Sequence, residues 1–353
     1  MQIDLSSARL TTLALHKVGN KLRSEGSAAA AELHPVDESL GILLHDWFLS
    51  PFRSDEFFKF VHETDLSLNE IYTFCKAIFE GGREVFLEQS VHILDHLYAV
   101  SVHPHIVGGE LYVAHFRECE IDKTPLEAIG IFKSEQKDTF LKVSDEGGSL
   151  HMQAEIGVNI KRLDKGCLIF NTFADDGYSL LMVDKSGEDT RYWRDDFLHV
   201  ERIQDNSYQT EKFLQLTHDF CEEVFSQDQE RKDQLVFLNK SINYFAKNKE
   251  FKLEDFAENV FPPGEEYREQ FDDYRRLYEN ANSLPPAEEG FYISRSAVRQ
   301  MRKQFKSLIR LDSNIEIRLD PRQAEEAAEF LERGFDEARN LFYDKVYFRE
   351  EKE

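Results

Sequence analysis

GGELYVAHFREC (residues 108–119) opens the part of the sequence whose reading decides the fold. It is followed by EAIGIFKSE (127–135), TFLKVSD (139–145), LHMQAEIGVNI (150–160), KGCLIFNTF (165–173) and YSLLMVDK (178–185). Each is a short run of β-branched and aromatic residues, the composition that fits a pleated, half-buried surface. The runs are punctuated by Gly108-Gly109, Lys137-Asp138, Gly147-Gly148, Lys165-Gly166 and Asp176-Gly177. This spacing predicts an antiparallel meander of about six strands over residues 108–186. Hairpins are expected at Gly147-Gly148 and Asp176-Gly177, because those pairs accept the positive φ of tight turns.

On the N-terminal side, RLTTLALHKVG (9–19) reads as a strand, and LGILLHDWFLSPF (40–52) has helical spacing up to Pro51. SLNEIYTFCKAIFEG (67–81) and GREVFLEQSVHILDHLYAVSVHP (82–104) follow as amphipathic helices. The first gains a serine cap and a closing glycine, and the second stops at His103-Pro104. The first hundred residues are therefore expected to be mainly helical. From about residue 207 the helical period returns in four segments, ending with EEYREQFDDYRRLYENA (265–281). The loop NSLPPAEEG (282–290), the basic stretch, the alternating NIEIRL (314–319), a helix from Pro321 and a strand-like DKVYF (344–348) complete the chain. The fold class is α+β. A domain over residues 1–200 should hold the sheet, and a mostly helical domain over 201–353 should end in a short strand pair.

The chain of 353 residues carries 67 acidic against 43 basic residues, a formal charge of -24. Such a balance argues against general adhesion to nucleic acid or anionic membrane, while screening still permits a local basic site. Cys75, Cys119, Cys167 and Cys221 form no CxxC pair, which points to reduced thiols and not to a zinc ribbon. No signal peptide or membrane-spanning run is written here, so a soluble cytoplasmic protein is expected.

Against this acidity, SRSAVRQMRKQFKSLIR (294–310) holds Arg295, Arg299, Arg302, Lys303, Lys306 and Arg310 and no carboxylate. On one helix these six side chains fall within an arc of about 100°. Val298, Met301, Phe305, Leu308 and Ile309 take the other side, and Ser294 is a suitable cap. The expected element is a basic helix over 294–310, buried along its apolar side. An outward cationic stripe suits phosphates. The competing reading is that it neutralises the protein's own acids, for instance those of EEYREQFDDY (265–274).

Two other constellations are weaker. Glu88, His92 and His96 line one helical face and could hold Zn²⁺, but the HExxH order is missing. Glu135-x-Lys137, with Glu118 and Glu127 in reach, matches an arrangement that some metal-dependent nucleases use, yet it also suits an ordinary polar hairpin. P-loop, GxGxxG, GxSxG and kinase signatures do not occur. Neither a cofactor nor a catalytic residue is assigned.

Several long phrases resemble bacterial nucleoid-associated proteins of the NdpA-like family, nearest to its Bacteroidetes-type branch. They include ALHKVGN (14–20), FLEQSVHILDHLYAVSVHPHIVGGELYVAHF (86–116), GIFKSEQKDTFLKV (130–143), FAKNKEFKLEDFAENVF (245–261) and FYISRSAVRQMRKQFKSLIRLDSNIEIRL (291–319). The resemblance implies a non-enzymatic, DNA-binding protein of the bacterial chromosome, located in the cytoplasm on the nucleoid. Its partners would be DNA and chromosome-associated proteins, without a membrane, and association as a homodimer stays open. By inference the basic residues of 294–310 are the DNA contact, reading phosphates with little base specificity. The alternatives are an acidic module that reaches the nucleoid through a protein partner, and a metal-dependent phosphodiesterase.

Overall fold

The computed structural model describes residues 3–53, 56–185, 192–226, 231–261, 266–305, 308–318 and 329–350. The chain divides into two compact units, Met1–Ile203 and Gln204–Glu353.

The first unit is built on one antiparallel sheet. Its strands are β1 (Ile3–Asp4), β2 (Arg9–Val18), β3 (Phe58–Phe60), β4 (Gly109–Ile121), β5 (Thr124–Ser134), β8 (Lys165–Phe170), β9 (Ser179–Asp184) and β10 (Val200–Arg202). The order across the sheet is β1-β4-β5-β8-β9-β3-β10, with β2 pairing along β4 beside β1. Side chains of β4 alternate between two cores. Leu111 and Val113 join Ile129, Ile131, Cys167 and Ile169 under α2 (Glu70–Gly81) and α3 (Arg83–Val100). Tyr112, Ala114 and Phe116 face the other way, with Phe132, Leu168 and Phe170, under α1 (Glu38–Leu49). The central strands are thus covered on both faces, which explains their near-continuous apolar runs. Phe48 of α1 stacks on Phe132 with centroids 4.3 Å apart, and the Trp47 indole donates to the Arg162 carbonyl at 2.9 Å.

All six strands expected over 108–186 form, and they are antiparallel, but they are not one meander. β6 (Lys137–Glu146) and β7 (Ser149–Val158) leave the sheet as a separate hairpin, so β5 pairs directly with β8. Gly147 and Gly148 do turn that hairpin, with φ of 67° and 84°. Asp176-Gly177 is not a tight hairpin: residues 171–178 carry a 3₁₀ turn (Ala174–Asp176) whose end, Gly177 at φ 96°, lies against the Phe60 backbone. Lys137-Asp138 and Lys165-Gly166 open strands, since pairing with β7 and with β5 respectively overrides their turn character. The two-residue turn between β4 and β5 is Asp122-Lys123, both at positive φ.

His16, in the phrase ALHKVGN, is 2% exposed. Its Nδ1 accepts the Ala30 N–H at 3.0 Å, and its Nε2 lies 3.0 Å from the Ser90 hydroxyl, whose own proton goes to the Leu87 carbonyl. Both ring nitrogens are used by the neutral form. Burial lowers the His16 pKa from 6.5 to about 4, against a smaller opposing influence of Asp95. The unfolded chain takes up this proton near pH 6.5 and the folded chain only near pH 4. The contribution is therefore complete above the higher value and lost as pH falls through the lower, about 2–4 kcal/mol. Denaturant unfolding of His16→Gln should show a lower stability at pH 7 but a shallower fall towards pH 4 than the wild type. Parallel curves would contradict a neutral, buried His16.

The second unit is mostly helical, with α4 (Asn206–Phe220), α5 (Arg231–Lys247), α6 (Leu253–Val260), α7 (Glu266–Asn282) and α8 (Arg295–Met301). Their apolar faces meet in a phenylalanine-rich core that includes Phe213, Phe220, Phe245, Phe251, Phe256 and Phe271. Such rings interlock edge to face, as Phe220 and Phe271 do at 5.1 Å and 88°. Short hairpins complete it: β11 (Glu250–Phe251) with β12 (Phe291–Tyr292), β13 (Leu308–Arg310) with β14 (Glu316–Arg318), and β15 (Leu331–Asp336) with β16 (Leu341–Val346). The helix expected from Pro321 falls largely outside the described residues.

Candidate nucleic-acid interface

Ser294 starts the basic segment. Its hydroxyl caps α8 by accepting the Ala297 N–H at 3.3 Å, and its own N–H donates to the Thr210 hydroxyl of α4 at 3.0 Å. α8 then buries Ala297 and seats Val298 and Met301 in the phenylalanine-rich core. The helix is shorter than expected: it ends at Met301, and 302–305 form a turn that still buries Phe305. The expected helix to Arg310 is replaced at its far end by β13. Ile309, 4% exposed, packs with Leu235 and Leu331, and β13 closes a hairpin with β14 through Asn314 at φ 63°. Burial of Ile309 between neighbours outweighs helix propensity, which differs by only a few tenths of a kcal/mol among these residues.

The orientation matches the sequence reading despite the change of element. Val298, Met301, Phe305 and Ile309 are buried, whereas Arg295, Arg299, Arg302 and Lys303 are exposed. Arg295 reaches back to donate to the Ala246 carbonyl at the end of α5. Among the described residues none of these four cations makes an ion pair. Lys306 lies outside the described residues, and of Arg310 only the backbone, paired opposite Glu316, is described. The hairpin adds one exposed cation that the sequence reading missed, Arg318 of β14. Its signal was its place in the alternating NIEIRL, two residues after Glu316 and next to the core-facing Ile317.

Of the acids in 265–274 proposed to neutralise this stretch, Asp272 lies beside a different cation, Arg275. Arg275 of α7, with its side chain 1% exposed, donates to Glu279 at 2.9 and 3.0 Å and to Glu288 at 2.7 and 3.1 Å. Asp272 is 3.5 Å away, and Glu279 also accepts the Ala287 N–H at 3.1 Å. One internal arginine thus gathers Asp272 and Glu279 of α7 and Glu288 of the 282–290 loop.

The remaining candidates do not come together among the described residues. His96 places Nε2 3.1 Å from the Phe197 carbonyl and stacks on the Phe197 ring, while Glu88 and His92 are exposed on α3. Burial lowers the His96 pKa, opposed by Glu70. Glu135 is held by the Lys133 ammonium at 2.8 Å and the Tyr192 hydroxyl at 3.2 Å, and Lys137 bonds Glu110. Glu118 pairs with Arg9 and Glu127 with Arg117, so the acids of the nuclease-like arrangement are dispersed. Among the described residues no group of three or more His, Cys, Asp or Glu is placed to hold a metal ion.

One polar cluster was not legible as such. Lys133 and Lys165, opposite each other on β5 and β8, are at most 1% exposed. Lys165 bonds both oxygens of Asp184 at 2.8 and 3.0 Å, and its ammonium lies 4.9 Å from the centre of the Tyr192 ring. Lys133 donates to the Val107 carbonyl, Glu135 and Tyr192, which uses all three of its protons. Burial lowers its pKa, opposed by Glu135. With all three Lys133 donors engaged, this cluster clamps sheet, loop and the π-helical turn Tyr192–Leu198 together.

A family model described as nucleoid-associated protein YejK matches residues 15–338. No curated protein matches the chain.

Proposed function

The chain belongs to the family of nucleoid-associated protein YejK, and we propose that it is a non-enzymatic protein of the cytoplasmic nucleoid that holds DNA by its phosphates. Arg295, Arg299, Arg302 and Lys303 make the contact, with Lys306, Arg310 and Arg318 extending it. The observation that carries this reading is the exposure of four neighbouring cations without ion pairs among the described residues, in a chain of net charge -24. In so acidic a protein, exposed arginines on a core-anchored segment, without ion pairs among the described residues, are available to an external anion. Guanidinium groups bind phosphate through paired N–H donors, and phosphates carry no sequence information, so base specificity is low. Net repulsion between the acidic body and the duplex keeps the affinity modest, and counterion release at the phosphates makes it salt-sensitive.

Binding to several duplexes of equal length and unrelated sequence, at low salt and with or without Mg²⁺, tests this. Affinities should agree within a few-fold, fall together as salt rises, and leave the DNA uncut. A strong preference for one sequence, or Mg²⁺-dependent cleavage, would overturn the reading. Absence of any binding at low salt would instead favour recruitment to the nucleoid by a protein partner.

A further inference from the structure

The β6–β7 hairpin raises a question that DNA binding does not answer. Among the described residues these strands pair only with each other, over ten residues each. An isolated two-stranded ribbon is at best marginally stable in water. Pairing in register puts Thr139, Leu141, Val143, Asp145, Leu150, Met152, Ala154 and Ile156 on one face, between Lys137 and Val158 at the root. Of these, Leu141, Val143, Leu150, Met152 and Ile156 are 66%, 60%, 77%, 68% and 74% exposed. The opposite face carries Asp138, Lys142, Ser144, His151, Gln153 and Glu155, together with Phe140, whose ring lies over Gly157. Only Val158 at the root joins a core of its own unit.

We infer that this apolar face is a dimerisation surface, covered by the same face of a second copy of the chain stacked antiparallel across a two-fold axis. The charges favour that occupant. Lys137 at the root and Asp145 at the tip are the only charged residues on the face, so antiparallel stacking sets each Lys137, which also bonds Glu110, beside the Asp145 of the other copy. Parallel stacking would oppose like charges. A polyanion fits poorly, because residues 137–158 hold two lysines against four carboxylates. The five exposed side chains offer roughly 300–600 Å² of apolar area per copy. Two copies together then approach the lower end of a standard interface, about 1,200 Å² in total. An isologous contact closes at two and leaves no free apolar face.

Sedimentation velocity on the full chain from about 1 to about 100 μM is the first test, and it should find a dimer. The variant L141E/M152E should weaken the dimer on the order of 100-fold or more. Its thermal unfolding should still show a folded core, because neither side chain belongs to one. Position 154 lies at the centre of the face and position 150 at its tip. Since the four native cysteines are buried, Ala154→Cys should cross-link to itself on oxidation and Leu150→Cys should not. A wild type that stays monomeric throughout, a dimer indifferent to L141E/M152E, or cross-linking at 150 in place of 154 would each overturn the proposal.

Discussion

Replacing Arg299, Arg302 and Lys303 together by Glu is expected to lower DNA affinity by at least about 500-fold at 0.1 M salt. Each neutralised phosphate contributes a factor that scales with salt to the power of about -0.9, and this counterion term vanishes near 1 M. At tenfold lower salt, leaving three phosphates without their cations therefore removes about 2.7 powers of ten, before the repulsion from the new carboxylates is added. The three side chains are exposed and unpaired among the described residues, so their exchange should leave the fold intact. Their apolar neighbours Val298, Met301 and Phe305 hold the segment in place. The loss should be similar for every duplex sequence. A folded variant that binds like the wild type would exclude these residues as the contact.

Arg275→Met should destabilise the second unit by about 3–5 kcal/mol, because it strips the buried Glu279 of the cation that pairs with it. Glu279, with its side chain 11% exposed, bears most of the cost, whereas Glu288 is 53% exposed and can be solvated. For a unit of this size the loss corresponds to a fall in Tm of about 6–20 °C. Adding Glu279→Leu should recover part of it, since removing both charges costs less than stranding one. Thermal unfolding followed by circular dichroism of the single and double variants checks this. A double variant no more stable than Arg275→Met would show that Glu279 is not the stranded charge.

The strands of the sheet were readable because their period is short and their composition distinctive. Which of them share one sheet was not read, although a signal existed. EAIGIFKS and KGCLIF are apolar on both faces, as strands between two layers must be, whereas TFLKVSD and LHMQAEIG keep one polar face. Grouping all six runs as one meander ignored that difference. The short β3 and β10 carry no usable periodicity, as three residues cannot establish a period of two. Likewise α2 takes its cap from Asn69, not from a serine, because the Asn69 amide also points its two N–H donors at a group of three carbonyls, those of Val61, Leu198 and His199.

At the candidate site the sequence specified which side chains face out but not the element that carries them. Helical arithmetic over 294–310 sorted buried from exposed residues correctly up to Phe305, and the β13 turnback keeps Ile309 inside by a different geometry. DSN (312–314), the turn that makes a hairpin of this segment, lies just beyond the basic stretch. The partners of buried charges were not legible at all. Lys165 looked like a turn residue, and only the pairing of β5, β8 and β9 brings Asp184 to Lys165 and sets Lys133 opposite it. The Val107 carbonyl reaches Lys133 only because β4 and β5 fold back on each other. Arg275 was equally hidden in a helix of mixed charge, since membership of an ion cluster depends on where the 282–290 loop returns.

The central claim is that Arg299, Arg302 and Lys303 neutralise DNA phosphates, and its most direct test is a count of released counterions. Binding of the wild type and of the triple Gln variant to one duplex is measured across a salt series, and log K is plotted against log salt. The variant slope should be shallower by about 2.7, three phosphates at about 0.9 each. Equal slopes from two folded proteins would contradict the claim, whatever their absolute affinities.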